Sequence, residues 1–189
     1  MHIWLFHRFC RSALFMLAVA GFFAQPERLS AGIVRVNQRA PELVGGPWLN
    51  THDGASITLA SRKGNVSVVE FWTFACINCR HNLSAYARWS RKFAARGVNV
   101  IGVHTPETPP EYVAENVRRE VEKLGIAYPV LLDREHTNWN RWNQEFWPAI
   151  YLIDKHGLIR YRWEGELEYN HAGGEAKIES LIEKLLAEK

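Results

Sequence analysis

The chain has 189 residues, 47% hydrophobic and 23% charged, which fits one packed domain plus a short extra segment and excludes a disordered tail. Three cysteines are too few for a disulfide scaffold or a four-cysteine zinc module, and no uncharged apolar run of about 18 to 20 residues marks a multi-span membrane protein. The net charge of +3 falls almost to zero outside the first 24 residues, which hold Arg8 and Arg11 and no acid, so the body lacks the concentrated positive charge that nucleic acid binding needs.

The elements follow in chain order. His2, His7, Arg8 and Arg11 precede an uncharged apolar run over residues 13–24, the pattern of an export signal. Residues 1–24 are therefore expected to be a signal peptide or, starting near Ile3, an uncleaved membrane anchor. A linker is expected over 25–39 and a single domain over 40–189. The Asp53-Gly54 turn predicts a short edge strand over 56–59. Val66–Trp72 is β-rich and apolar throughout, as a strand covered on both faces should be. Leu83, Tyr86, Ser90, Phe93 and Ala94 lie at helical spacing within 76–96, with Gly97 as a stop. A second buried strand is predicted over 98–103. Thr108-Pro109-Pro110-Glu111 reads as a capping box opening a helix, whose stripe is Val113, Val117, Val121 and Leu124. Strands over Val130–Leu132, Ala149–Ile153 and 158–163 follow, the last two joined by a turn at Asp154-Lys155-His156-Gly157. Ile178, Leu181, Ile182 and Leu185 mark a final helix. This alternation predicts an α/β fold with a mixed central sheet flanked by helices.

The chemistry sits in Cys76-Ile77-Asn78-Cys79, placed directly after a buried strand and at the start of a helix. Unpaired N–H groups and the helix dipole favour an anion there, so the Cys76 thiol should be more acidic than usual. Thiolate is the species that attacks a disulfide, and Cys79, one turn on, can resolve the mixed disulfide from within. A crosslink for stability would join distant segments, since closing four residues removes little chain entropy. A structural zinc needs about four ligands, and only His81 and His104 stand nearby. Neither a metal nor a cofactor is expected. Glu70 lies inside the strand, on one face with Val68 and Trp72. Burial should raise its pKa and let it take the proton of Cys79. Pro148, after Trp147, belongs at a strand start because it donates no ladder hydrogen bond.

Phe71-Trp72-Thr73-Phe74-Ala75-Cys76-Ile77-Asn78-Cys79 resembles the exported thiol-disulfide oxidoreductases of the TlpA/ResA type in the thioredoxin superfamily, and most of all the thioredoxin-like domain of the DipZ group. Gly102 to Glu107, Leu124 to Val130 and Trp147 to Tyr161 extend the resemblance over most of the body. It implies a thioredoxin-like fold with an N-terminal extension and a helical insertion between Val103 and Val130, including the helix from Pro110. It implies Cys76 as the attacking and Cys79 as the resolving cysteine, joined in a redox disulfide. It also puts Glu70 in the place of the buried acid, Pro148 as a cis proline facing the site, and Trp147 lending backbone contacts to a thiol substrate. The partners implied are protein thiol or disulfide clients and a membrane electron donor, in an extracytoplasmic setting, with the protein acting as a reductant. Ala75 and Ile77-Asn78 depart from many relatives at positions that help set thiol pKa and potential. Two other readings stay open. Thr73 lies three residues before Cys76 as in peroxiredoxins, although Val69 stands where that family places Pro, and thiolates with a histidine would suit a Cu(I) carrier. Trp139, Trp142 and Trp147 read as either core packing or a client-docking surface.

Overall fold

The computed structural model describes residues 36–189. The expected signal or anchor over 1–24, with residues 25–35 of the expected linker, lies outside them. Among the described residues six strands form one sheet: β1 (Trp48–Leu49), β2 (Val66–Trp72), β3 (Val98–His104), β4 (Val130–Leu132), β5 (Ala149–Ile153) and β6 (Ile159–Glu164). Their order is β1-β4-β3-β2-β5-β6. β2 pairs with β3 in parallel and with β5 antiparallel, which makes the sheet mixed, as expected. The helices are α1 (Ile77–Phe93), α2 (Ala114–Lys123), α3 (Thr137–Arg141) and α4 (Gly174–Ala187).

Central β2 is buried along its whole length because its β-branched and aromatic side chains are covered on both faces. Val68 and Trp72 join a core built with α1 and α4 through Tyr86, Trp89, Phe93, Ile178 and Ile182. Val69 and Phe71 face the second core, with Ile101, Trp142 and Tyr151. In α1, Trp89 takes the core position expected of Ser90, while Ala94 is exposed. Gly97 ends the turn that follows at φ 84°, left-handed backbone that glycine adopts without steric cost.

The structure departs from two expectations and adds one helix. Residues 56–59 form no strand: the N–H groups of Leu59 and Ala60 donate to the Glu42 carboxylate instead of to a neighbouring strand. The sheet edge is supplied by β1, antiparallel to β4. The helix expected from Pro110 begins at Ala114, because the capping box closes a separate 3-10 turn over Pro109–Tyr112. The residues preceding Pro148 include α3, which sequence periodicity did not reveal; the Asp133 carboxylate caps it, accepting from the N–H groups of Asn138 and Trp139 at 2.8 Å each.

α1 and α4 run side by side in the same direction. Arg88, Lys92 and Arg96 pair in turn with Glu175, Glu179 and Glu183. Exposed pairs of this kind each contribute about 0 to 1 kcal/mol. At the start of α4, a Cβ on Gly174 would lie 2.5 Å from the Leu167 carbonyl oxygen and 2.7 Å from the Trp163 ring.

Candidate active site

β2 delivers the chain into a tight turn over 73–75, after which α1 starts. Cys76 is the N-cap of α1, with extended backbone (φ −77°, ψ 114°). Its Sγ accepts the Cys79 N–H at 3.2 Å, standing where a serine or aspartate oxygen usually caps a helix. Cys76 is half-buried and Cys79 fully buried. The Cys76 thiol is lowered from 9.0 to about 7, chiefly by its hydrogen bond with the Cys79 side chain and then by the N–H groups of Cys79 and Asn78; burial and the Glu107 charge oppose this. Burial, followed by the neighbouring Cys76 sulfur, pushes the Cys79 thiol far up. The pair is thus split into one acidic, reachable thiol and one enclosed, neutral thiol.

Glu70 is completely buried, and burial raises it from 4.5 to about 8 against the lowering effect of a hydrogen bond from Tyr128. The Tyr128 hydroxyl donates to Oε1 at 2.9 Å, and Oε2 has no protein partner. The Glu70 charge acts on Cys79, adding to the upward shift of that thiol. Gly102 lies opposite Glu70 on β3, and a Cβ there would come within 2.9 Å of Oε1 and 3.1 Å of Trp72 Nε1. Gly102→Ala is therefore expected to cost about 1 to 3 kcal/mol of unfolding free energy, measured by urea titration.

The Trp147-Pro148 peptide is cis. Phe71 pairs with Ala149, so Pro148 leads β5 in beside the end of β2, where the chain turns to Cys76. The Pro148 carbonyl accepts the Gly165 N–H at 2.8 Å. Half-buried Trp147 stacks on Trp139 with ring centroids 4.0 Å apart, while Trp142 is wholly core. Beside the motif, Ile77 is 60% exposed and a groove opens along Asn78, Trp163, Glu164, Glu166 and Tyr169.

His81 is exposed at 3.1 Å from Glu166. His104, at the end of β3, is buried against Trp72 and Phe74, and burial lowers it to about 4. Among the described residues no group of three or more His, Cys, Asp or Glu side chains is placed to hold a metal. Sequence reasoning missed Tyr128 and Glu111. Tyr128 meets Glu70 from 58 positions away in the chain, with no local signal. Glu111 was visible, but only as part of a helix cap.

The AhpC/TSA family profile matches residues 36–162, well over half of the chain. Protein DipZ of Mycobacterium tuberculosis is 39% identical over 148 residues, covering 78% of this chain and 20% of that one. The chain thus spans about a fifth of the length of the DipZ proteins it matches. Thiol-disulfide oxidoreductase YkuV of Bacillus subtilis is 23% identical, over 82% of this chain and 99% of its own. A thiol:disulfide interchange protein of the thioredoxin family from Chlorobium tepidum superposes with a TM-score of 0.62 at 22% identity, covering 81% of this chain and 98% of that structure. The fold is thioredoxin-like, as the cysteine motif and its surroundings implied. This chain belongs to the AhpC/TSA family.

Proposed function

We propose that the protein reduces disulfides in protein clients outside the cytoplasm, with Cys76 as attacking and Cys79 as resolving cysteine. The reading rests on one observation: the Cys76 sulfur caps α1, accepting the Cys79 N–H, with Cys79 buried behind it. The Cys76 thiolate attacks one sulfur of a client disulfide and expels the other as thiolate, forming a mixed disulfide. Cys79 then gives its proton to Glu70 in those molecules whose carboxylate is ionised, a fraction that grows as pH rises toward about 8, and attacks the Cys76 sulfur. The second client thiolate leaves, and two electrons have passed to the client, leaving a Cys76–Cys79 disulfide. A membrane electron donor would restore the dithiol. The backbone around cis Pro148 and Trp147 holds the client strand, and the apolar Ile77 lies in its path.

The direction is argued from acidity. Cysteine-pair proteins whose attacking thiol titrates near about 7 have potentials near about −270 mV, while those with a thiol near about 3.5 lie near about −120 mV. Cys76, lowered only to about 7, belongs with the first kind. Export rests on Arg8 and Arg11 before the apolar run 13–24, serving as signal or anchor ahead of the linker 25–39 and the domain 40–189. Among the described residues no helix is long and apolar enough to cross a membrane.

Equilibration with glutathione, read together with thiolate absorbance, tests the assignment. A Cys76 midpoint near 7 and a potential toward about −270 mV are expected, with insulin disulfide reduction lost in Cys76→Ser. A potential toward about −120 mV reverses the direction, and full activity in Cys76→Ser removes the function.

A further inference from the structure

A single carboxylate joins the loops that leave β2 and β3. Glu111 is 2% exposed. Its Oε1 accepts the Thr73 hydroxyl and, at 2.9 Å, the Ala75 N–H. Its Oε2 accepts the N–H groups of Glu107 (3.0 Å) and Thr108 (2.8 Å) and the Thr108 hydroxyl (2.9 Å). Five donors saturate the two oxygens. The bonds to Thr73 and Ala75 do nothing for α2, which begins only at Ala114. They reach instead the turn that presents Cys76, whose own N–H donates to the Thr73 carbonyl at 3.3 Å. His104 Nε2, 3.8 Å from Oε1, makes no hydrogen bond, so the backbone and hydroxyl donors hold the carboxylate.

We propose that Glu111 is a positioning residue for the attacking thiol, clamping the 73–75 turn to the 107–108 loop so that Cys76 Sγ stays seated on the Cys79 N–H. The inference rests on the reading of Cys76 as the attacking cysteine. Charge-assisted hydrogen bonds to a buried carboxylate are the strong kind, and only such an anchor satisfies donors from both loops at once. Cys79, Asn78 and Glu107 are the groups that act on the Cys76 thiol directly. A purely electrostatic role of Glu111 would have the opposite sign, since removing a nearby negative charge favours thiolate.

Glu111→Gln keeps the shape but turns one oxygen into a donor facing other donors. In the full chain, with folding checked by circular dichroism, the rate of Cys76 alkylation is followed against pH. The midpoint is expected to rise by at least about half a unit, slowing alkylation and insulin reduction at pH 7 about twofold or more. Thr73→Val, which spares the carboxylate and its other four donors, should shift the midpoint the same way by less. An unchanged or lowered midpoint in folded Glu111→Gln overturns the proposal. Where Glu111→Gln does not fold, an unchanged midpoint in Thr73→Val overturns it. Peptide mapping keeps the underlying reading separate: a wild-type protein alkylated first at Cys79 sinks the assignment of Cys76, whatever Glu111 does.

Discussion

Replacing Cys79 with serine is expected to arrest the protein as a covalent adduct with its client. Cys76 keeps its place at the start of α1, and its attack on a disulfide needs only its own thiolate. Release needs a second sulfur held against the first, and intramolecular placement of this kind is equivalent to a very high local thiol concentration. Multiple-turnover reduction should fall by about a thousandfold or more, while the first attack proceeds at close to the wild-type rate. The adduct is detected by mass, and dithiothreitol should free the client. Sustained turnover in Cys79→Ser would mean that an outside thiol does the resolving. The burial of Cys79 makes the order one-way: a client cannot reach it, so Cys76 must be attacked or must attack first.

Glu70→Gln should alter both stability and rate. The unfolded carboxyl gives up its proton near 4.5, and the folded one keeps it to about 8. Between those limits the native state holds a proton that the unfolded state has lost. Its contribution is therefore fully present below about 4.5 and fades as pH rises toward about 8, by up to 1.36 kcal/mol per unit and about 5 kcal/mol in all. Glutamine has no proton to lose. The variant should gain on the wild type by several kcal/mol between pH 4.5 and 8, read from urea unfolding at each pH. Cys76 and His104 titrate in both proteins, so their effects cancel in the difference. The rate carries the functional part: release of the second client thiolate should slow about a hundredfold for want of a proton acceptor, with alkylation of Cys76 unaffected. A pH-independent difference in stability would show that Glu70 is ionised in the fold throughout, and unchanged release would remove it from the proton path.

What the sequence revealed depended on how local the cause was. β2 was legible to the residue because burial on both faces leaves an uninterrupted apolar run. Cys76 was legible because a cysteine pair at a strand-to-helix junction has a chemical reading of its own. Glu70 stood out as a lone acid in that run. Tyr128, by contrast, meets Glu70 only after β3 and β4 are laid beside β2, and nothing near it in sequence announces the meeting. Glu111 was read as a cap on the following helix; its link to Thr73 and Ala75 exists only once two loops meet at the end of the sheet. The segment 56–59 has strand-like composition, but it pairs with no strand of the sheet and its Leu59 N–H goes to Glu42. α3 was hidden because five residues are too few to show a period.

The ladder between α1 and α4 has a consequence for how the two helices find their alignment. Its rungs repeat every four residues on both sides, so sliding α4 by one turn would still match two of the three pairs, Arg88 with Glu179 and Lys92 with Glu183. Coulomb attraction is therefore nearly indifferent to the slip, and steric fit must reject it. Gly174 supplies that veto: it is the residue at the head of α4 small enough to dock under Trp163 and the Leu167 carbonyl, and a one-turn slide would drive a bulkier neighbour into a gap that cannot hold it.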